Sequence, residues 1–427
     1  MGLPPVKTTK ERQIDEFSSQ LSQNLQIPKI QPSNWNWSEC FSFLAAHAQR
    51  HKIVIVFDEI SWMGSEDPDF LGYLKNAWDL HFSANPNLIL ILCGSVSSWI
   101  EENILSSTGF LGRISIDMKL DELSISESQE FWGSQRDRIS SYEKFKVLAV
   151  TGGVPKYLEE IIPEQTAEEN IQRLCFQSSG LLYREYDQIF SDLFGKRAVT
   201  YSHIISALNK KSLTLDEICT ILQMEKSGNI SRYLRDLISA GFVSEDGTWN
   251  LKNKKASQLK KFRLKDNYIR FYLRYMEPNK RKISKNLFDL GVLDLPGWET
   301  IMGLQFENLV MNNLKELCKI LKIDTQEIVT AGPFFQRTTK RQKGCQIDLL
   351  IQTRHNTLYL CEVKFSTKEI STSVMEEIEK KIKNIAIPKS YSIRPVLIHV
   401  NGVNQGIIDK EVFSHIVDLS QFLTLQI

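Results

Sequence analysis

The sequence predicts an α/β protein in which a parallel sheet is followed by a helical segment, a winged helix-turn-helix and a second α/β unit. Three observations carry this reading. Two continuous apolar runs, 53–57 (IVIVF) and 88–93 (LILILC), are separated by a helical pattern, as parallel strands buried on both faces are. Three closely spaced helical patterns, 199–210, 215–222 and 228–239, precede a short Asp246-Gly-Thr-Trp hairpin signal, the outline of a winged helix. Towards the C-terminus, strand patterns at 346–352 and 358–363 lie a hairpin turn apart, and a helix over 374–384 leads to a further strand at 395–400.

Each element has a local cause. Ile14, Phe17, Leu21 and Leu25 recur at helical spacing and mark a helix over 13–25, and 37–46 reads likewise. A helix over 70–82 separates the first two strands, and 114–120 alternates apolar and polar residues as a third strand. From 124 to 194 the pattern is mostly helical. Ser126 followed by Gln129 fits a capping box, and Thr151-Gly-Gly-Val-Pro155 interrupts the helices. An amphipathic helix over 303–321 opens the last unit.

Composition narrows the class. At about 150 residues per domain, 427 residues suggest roughly three domains. With 42% hydrophobic and 24% charged residues, 21 Gly and 13 Pro, collagen-like and wholly disordered readings fail. The longest apolar runs are strand-sized, far short of the ~20 residues that span a bilayer. The first residues, MGLPPVKTTKERQ, lack the apolar core of a secretory signal, and Val6 stands where a myristoylation signal needs Ser or Thr. Seven scattered cysteines without a C-x-x-C pair indicate neither a disulfide framework nor a zinc ribbon. A soluble, cytoplasmic protein with no membrane partner is expected.

Charge is balanced overall, 52 Lys+Arg against 51 Asp+Glu, yet residues 251–285 hold 13 basic residues and only two acids, Asp266 and Glu277. Phe262, Tyr268, Phe271, Tyr272 and Tyr275 are interleaved there. Basic residues among stackable rings can track a phosphate backbone. The alternative, favoured here, is a solvated helical connector whose aromatics pack on a neighbouring domain.

Two constellations carry chemistry. In the first, Asp58 and Glu59 end the strand at 53–57, which suits nucleotide hydrolysis: the Asp holds Mg²⁺ and the Glu polarises the attacking water. Ser95 ends the next strand, and Arg113 precedes the third. The phrases FDEISWM, LKNAWD, ILCGS, GR and TGGVPKYL resemble the archaeal-type ATPase family within the AAA/STAND group of P-loop proteins, over roughly residues 1–190. By that resemblance Asp58 and Glu59 are Walker B, Ser95 is the sensor position and Arg113 a candidate phosphate arginine. Gly152, Gly153 and Pro155 then mark a lid. No G-x-x-x-x-G-K-[ST] occurs in these 427 residues, so the chain is expected to begin just after the phosphate-binding loop of its relatives. ATP is then a ligand of intact relatives, and hydrolysis by this chain alone is not expected without the backbone cradle. The resemblance also implies a sheet missing its central strand, whose edges another element, a second copy or a partner chain would have to cover. Asp58 and Glu59 then read equally as relics on a core strand.

The second constellation is Glu307, Asp348, Glu362 and Lys364. Glu362 and Lys364 are two apart on a strand and share a face. A hairpin can bring Asp348 beside them, and Glu307 lies on the preceding helix. Converging carboxylates suit Mg²⁺ or Mn²⁺, and the lysine can polarise a water attacking a phosphodiester. Helix Glu, strand Asp and Glu-x-Lys resemble the PD-(D/E)XK, restriction-endonuclease-like fold, and also the domain of unknown function that commonly follows archaeal-type ATPases, over about residues 295–427. A solvated ion pair or an inactive binding module on a nuclease fold are the competing readings. In the winged helix, Ser231, Arg232 and Arg235 open the helix that would enter a major groove; packing against the lid is the alternative.

The expected organisation is therefore a truncated P-loop-type core (1–120), a helical lid (121–195), a winged helix (196–250), a basic connector (251–290) and a nuclease-like domain (291–427). Two functions stay open: a metal-dependent nuclease acting on DNA or RNA, and a non-catalytic regulator that binds nucleic acid or protein.

Overall fold

The computed structural model describes residues 9–28, 35–48, 52–94, 97–194, 197–340 and 343–425, in two units, Met1–Lys119 and Leu120–Ile427. It is a mixed α/β protein, and among the described residues no helix is long and apolar enough to cross a membrane.

In the first unit, α1 (Lys10–Leu25) and α2 (Trp37–Ala48) carry apolar stripes at helical spacing. They pack with α3 (Phe70–Leu80) around Phe17, Trp37, Phe41, Phe57 and Phe70, whose rings meet mainly edge to face or tilted. Strands β1 (Ile53–Phe57) and β2 (Leu88–Leu92) pair in parallel, with Ile55 opposite Leu90. Among the described residues, only one face of this pair is covered. Ile55 and Phe57 are buried, whereas Val54 and Ile89 are each 58% exposed, which corrects the expectation of burial on both faces. A short helix, α4 (Ser97–Ile100), follows β2.

The expected third strand does not form. Residues 114–120 have no strand partner among the described residues, and Ile116, Met118 and Leu120 are exposed. Alternation prepares a strand, but an unpaired strand leaves its ladder unsatisfied.

The second unit begins with α5 (Ile125–Ser128), capped by a box between Ser124 and Glu127. The box therefore starts two residues before the expected Ser126. Long-range contact selects it: Ile125 is buried and its N–H donates to Asn313 Oδ1 (2.7 Å). Helices α6 (Ser141–Thr151), α7 (Pro155–Leu158), α8 (Ala167–Cys175) and α9 (Leu181–Phe194) follow. Gly152 sits at φ +60°, and a side chain on Gly153 would meet the Leu123 carbonyl, so this turn needs both glycines.

The winged unit comprises α10 (Ala198–Leu208), α11 (Leu215–Leu222) and α12 (Gly228–Ser239), then antiparallel β3 (Val243–Trp249) and β4 (Ala256–Leu264). Its wing turns at Asn250–Lys255, where Asn250 accepts from the Lys254 N–H and Asn253 Oδ1 from the Lys255 N–H. Asp246-Gly247 lies inside β3, so the hairpin is longer than expected and runs past residue 250.

The presumed connector is part of the core. Helix α13 (Asn267–Phe271) continues into a π-helical turn, Tyr272–Met276, and then α14 (Lys280–Ser284). Tyr268, Phe271, Tyr272 and Tyr275 are buried. Tyr272 stacks on Tyr186 (4.2 Å between centroids), and Tyr268 donates to the Leu182 carbonyl (2.7 Å). These rings are unavailable for stacking on bases.

Helices α15 (Trp298–Asn312) and α16 (Leu314–Ile320) lead into a five-stranded sheet of order β5-β6-β7-β8-β9. Strands β5 (Ile328–Gln336), β6 (Cys345–Thr353) and β7 (Thr357–Lys364) are antiparallel neighbours, while β8 (Ser392–His399) and β9 (His415–Asp418) continue in parallel. Helix α17 (Ser373–Asn384) joins β7 to β8, α18 (Gln405–Asp409) lies before β9, and α19 (Leu419–Leu423) follows it.

Candidate functional site

In the first unit, Asp58 follows β1 and is exposed; its Oδ1 accepts from the Glu59 N–H (3.0 Å) and faces the Cys93 thiol (3.2 Å). Burial, then the hydrogen bond to Asp58, pushes that thiol up to about 11. Glu59 has φ +48°. Arg113 is committed to α3: its Nε and Nη2 donate to the two carboxylate oxygens of Asp79 at 2.7 and 2.9 Å. This bidentate fork holds the Asp79 carboxyl down at about 2. Ser95 lies outside the described residues.

In the second unit, three of the four residues of the C-terminal constellation, Asp348, Glu362 and Lys364, lie on the paired strands β6 and β7. Leu349 pairs with Cys361, so Asp348 and Glu362 stand one step further along opposite strands. Asp348 Oδ2 accepts from the Val363 N–H (3.0 Å). Glu362 is fully buried, and Lys364 Nζ lies 3.1 Å from its Oε1 at an angle that leaves this oxygen without a hydrogen bond. Glu307 comes from α15. Burial first, and then the charge of Asp348, raises its carboxyl to about 7 against the pull of Arg270 and Arg263. Asp348 is raised by burial and by Glu362.

Sequence reasoning missed two members, both on α17. Lys381 Nζ donates to Glu362 Oε2 (2.6 Å) and stands 3.6 Å from Asp348 Oδ1. Glu377 Oε2 pairs with Lys364 Nζ (2.8 Å). Burial disfavours the charged form of Lys364, but Glu377 and Glu362 together hold its ammonium above the usual lysine range. The signal was the i, i+4 spacing of Glu377 and Lys381, which reads as a surface pair until the sheet beneath is known.

The donor set is that of a hard cation. Three carboxylates supply oxygens alone, and Glu362 Oε1 is buried without a hydrogen bond. As it stands, however, no three His, Cys, Asp or Glu side chains among the described residues form a ready metal-holding group. Both strand carboxylates are instead ion-paired with Lys381, and Glu362 also with Lys364.

On the winged helix, Arg232 and Arg235 are exposed on α12, and Ser231 is partly exposed. Arg232 contacts Asn229 Oδ1 (3.4 Å) and the Tyr233 ring (5.6 Å). Neither arginine is ion-paired among the described residues. Lys252, Lys254 and Lys255 are exposed on the wing turn.

Residues 200–245 match the helix-turn-helix model of the bacterial regulatory proteins of the arsR family, which defines the class of this module. Residues 272–382 match the model of DUF234, archaea bacterial proteins of unknown function. An uncharacterized protein of Methanocaldococcus jannaschii is 28% identical over 328 residues, which is 76% of this chain and 68% of that one. Solved neighbours are a Walker-type ATPase of Pyrococcus abyssi (16% identity, TM-score 0.47, 62% of this chain and 79% of that one) and the ORC2 protein of Aeropyrum pernix (14%, 0.34, 66% and 78%).

Proposed function

We propose that this chain binds duplex DNA through its winged helix. The supporting observation is a pair of exposed arginines, Arg232 and Arg235, on the helix that enters the major groove in such modules, free of acidic partners among the described residues. Lysines 252, 254 and 255 on the wing turn add cations for the flanking phosphates. The test is fluorescence anisotropy with duplex oligonucleotides over a salt series. Wild type is expected to bind with a steep salt slope, and Arg232→Ala with Arg235→Ala to weaken binding. Each phosphate contact removed flattens the log–log slope by about 0.9. An unchanged affinity in the double variant overturns the reading. ATP hydrolysis is no part of this proposal, since Arg113 is already engaged by Asp79.

A second reading, metal-dependent cleavage of nucleic acid, is favoured by Asp348, Glu362 and Lys364 lying together on the β6–β7 hairpin, with Glu307 on α15 subject to the charge of Asp348. Glu307, Asp348 and Glu362 would hold Mg²⁺ or Mn²⁺. The ion would supply Lewis-acid polarisation of a phosphoryl oxygen and a more acidic water. Lys364, tethered by Glu377, would orient the water. Plasmid nicking that needs Mn²⁺ and disappears in Asp348→Asn is the expected result. Intact plasmid under every divalent cation removes this reading and leaves DNA binding standing.

A further inference from the structure

The wing does not stand free of the C-terminal sheet. Trp249, the last residue of β3, meets Phe334 of β5 edge to face (5.4 Å between centroids), and its Nε1 donates to Gln352 Oε1 of β6 (2.7 Å). Gln352 Nε2 in turn donates to the Leu251 carbonyl (3.0 Å) and to the Tyr391 hydroxyl (2.8 Å). Trp249 and Gln352 are both buried, where hydrogen bonds are strong and hold one geometry. The wing turn therefore keeps a fixed position against the sheet.

Between the two runs a groove of about 810 Å³. The wing contributes Lys252, Ser257 and Gln258 to it, and the end of β5 contributes Gln336 and Arg337. Gln336 braces the β5 side: its Nε2 donates to the Lys343 and Asn384 carbonyls (2.7 and 2.8 Å), and its Oε1 accepts from the Ala386 N–H (3.0 Å). Among the described residues no acidic side chain lines the groove. Lys252 and Arg337 are exposed, and neither is ion-paired among the described residues. A third cation, Lys261, holds its Nζ 4.9 Å from the centre of the Phe335 ring, which also lines the groove.

Cations set among Ser and Gln, with no carboxylate, complement a phosphodiester backbone: the charges take phosphates and the neutral side chains take phosphate and sugar oxygens. Trp249, Phe334 and Phe335 are buried, so the groove offers unpaired bases no open ring to stack on, as a single-strand channel would. Lys252 belongs both to the wing turn and to the groove, so a duplex held by the wing is led towards Arg337. We infer that the DNA interface runs on from the wing into this groove, where Lys252 and Arg337 grip the backbone of the flanking duplex. This inference rests on the DNA-binding reading above and deepens it.

The experiment uses the full chain and a duplex of about 24 base pairs, somewhat over two helical turns. Fluorescence anisotropy over a salt series compares wild type, Arg337→Ala and Arg337→Lys. In parallel, wild type is treated with phenylglyoxal, which modifies accessible guanidinium groups, and each arginine is read by peptide mass spectrometry. Arg354, exposed just after β6 and outside the groove, is the internal reference. Arg337→Ala is expected to bind several-fold more weakly, with a log–log salt slope flatter by about 0.9, and Arg337→Lys to keep the wild-type slope. Saturating duplex is expected to protect Arg337 several-fold relative to Arg354. Duplex that protects Arg232 while Arg337 reacts as freely as before overturns the inference and spares the winged helix. Protection of Arg337 by a single-stranded oligonucleotide but not by duplex overturns it as well. No duplex binding by wild type removes the winged-helix reading and the inference with it. If Arg337→Ala does not fold, the modification of wild type decides.

Discussion

Asp266 ends β4's exit and caps α13, its Oδ1 accepting the Ile269 N–H at 2.7 Å. Burial, then the charge of Glu122, raises its carboxyl to about 7 from an ordinary 3.8. Glu122 in turn accepts the Gly153 N–H (3.1 Å) and is itself raised by burial. A carboxyl raised in the folded state favours folding most while protonated. Its contribution is complete below about pH 3.8 and is lost as pH rises through 7. Asn caps a helix as well as Asp does but does not titrate. Asp266→Asn should therefore match wild type near pH 4 and exceed it by on the order of 2–4 kcal/mol at pH 8, as read by urea denaturation. Parallel pH profiles for the two proteins would refute this. Sequence reading placed Asp266 in a basic connector and saw neither its cap nor the facing Glu122, because residues 122 and 266 are brought together by tertiary packing.

Elements divide by whether their period needs a partner. Helices α11 and α12 fall where the sequence places them, at 215–222 and 228–239, because an amphipathic stripe and the Thr214–Glu217 capping box are local properties. Strand β1 is equally legible. Residues 114–120 show the opposite case: I-S-I-D-M-K-L alternates like a strand, yet no strand among the described residues pairs with it. Exposed side chains there carry little stability, so Ile116→Lys with Met118→Lys should leave the melting temperature within about 2 °C of wild type. A fall of ~5 °C or more in differential scanning calorimetry would mean that the segment is paired after all. Edge strand β5 escaped sequence reading because Gly332 and Pro333 interrupt its pattern and its ladder with β6 shifts register there. The aromatic belt of α13 had two sequence readings, and the arrival of Tyr186 and Leu182 from α9 decides for burial.

At the scale of the whole molecule, the chain divides into two compact units, Met1–Lys119 and Leu120–Ile427. One continuous core runs from Ile125 through the winged helix and α13 to Leu423. It is pinned by polar contacts between distant residues: Gln129 Nε2 to the Leu423 carbonyl (2.5 Å), Trp249 Nε1 to Gln352 Oε1 (2.7 Å), and Ile125 N–H to Asn313. By itself the sequence determined the α/β character, the winged helix, the paired strands near the C-terminus and the residue types of the carboxylate site. These follow from backbone periods of 3.6 and 2 and from capping chemistry, which act over a few residues. Only the tertiary structure decided that Arg113 turns to Asp79, that the basic stretch is a buried belt, and that Lys381 lies among the carboxylates. Those outcomes depend on which charges and rings meet across long stretches of chain, where burial multiplies the strength of every pairing and local pattern carries no record of the partner.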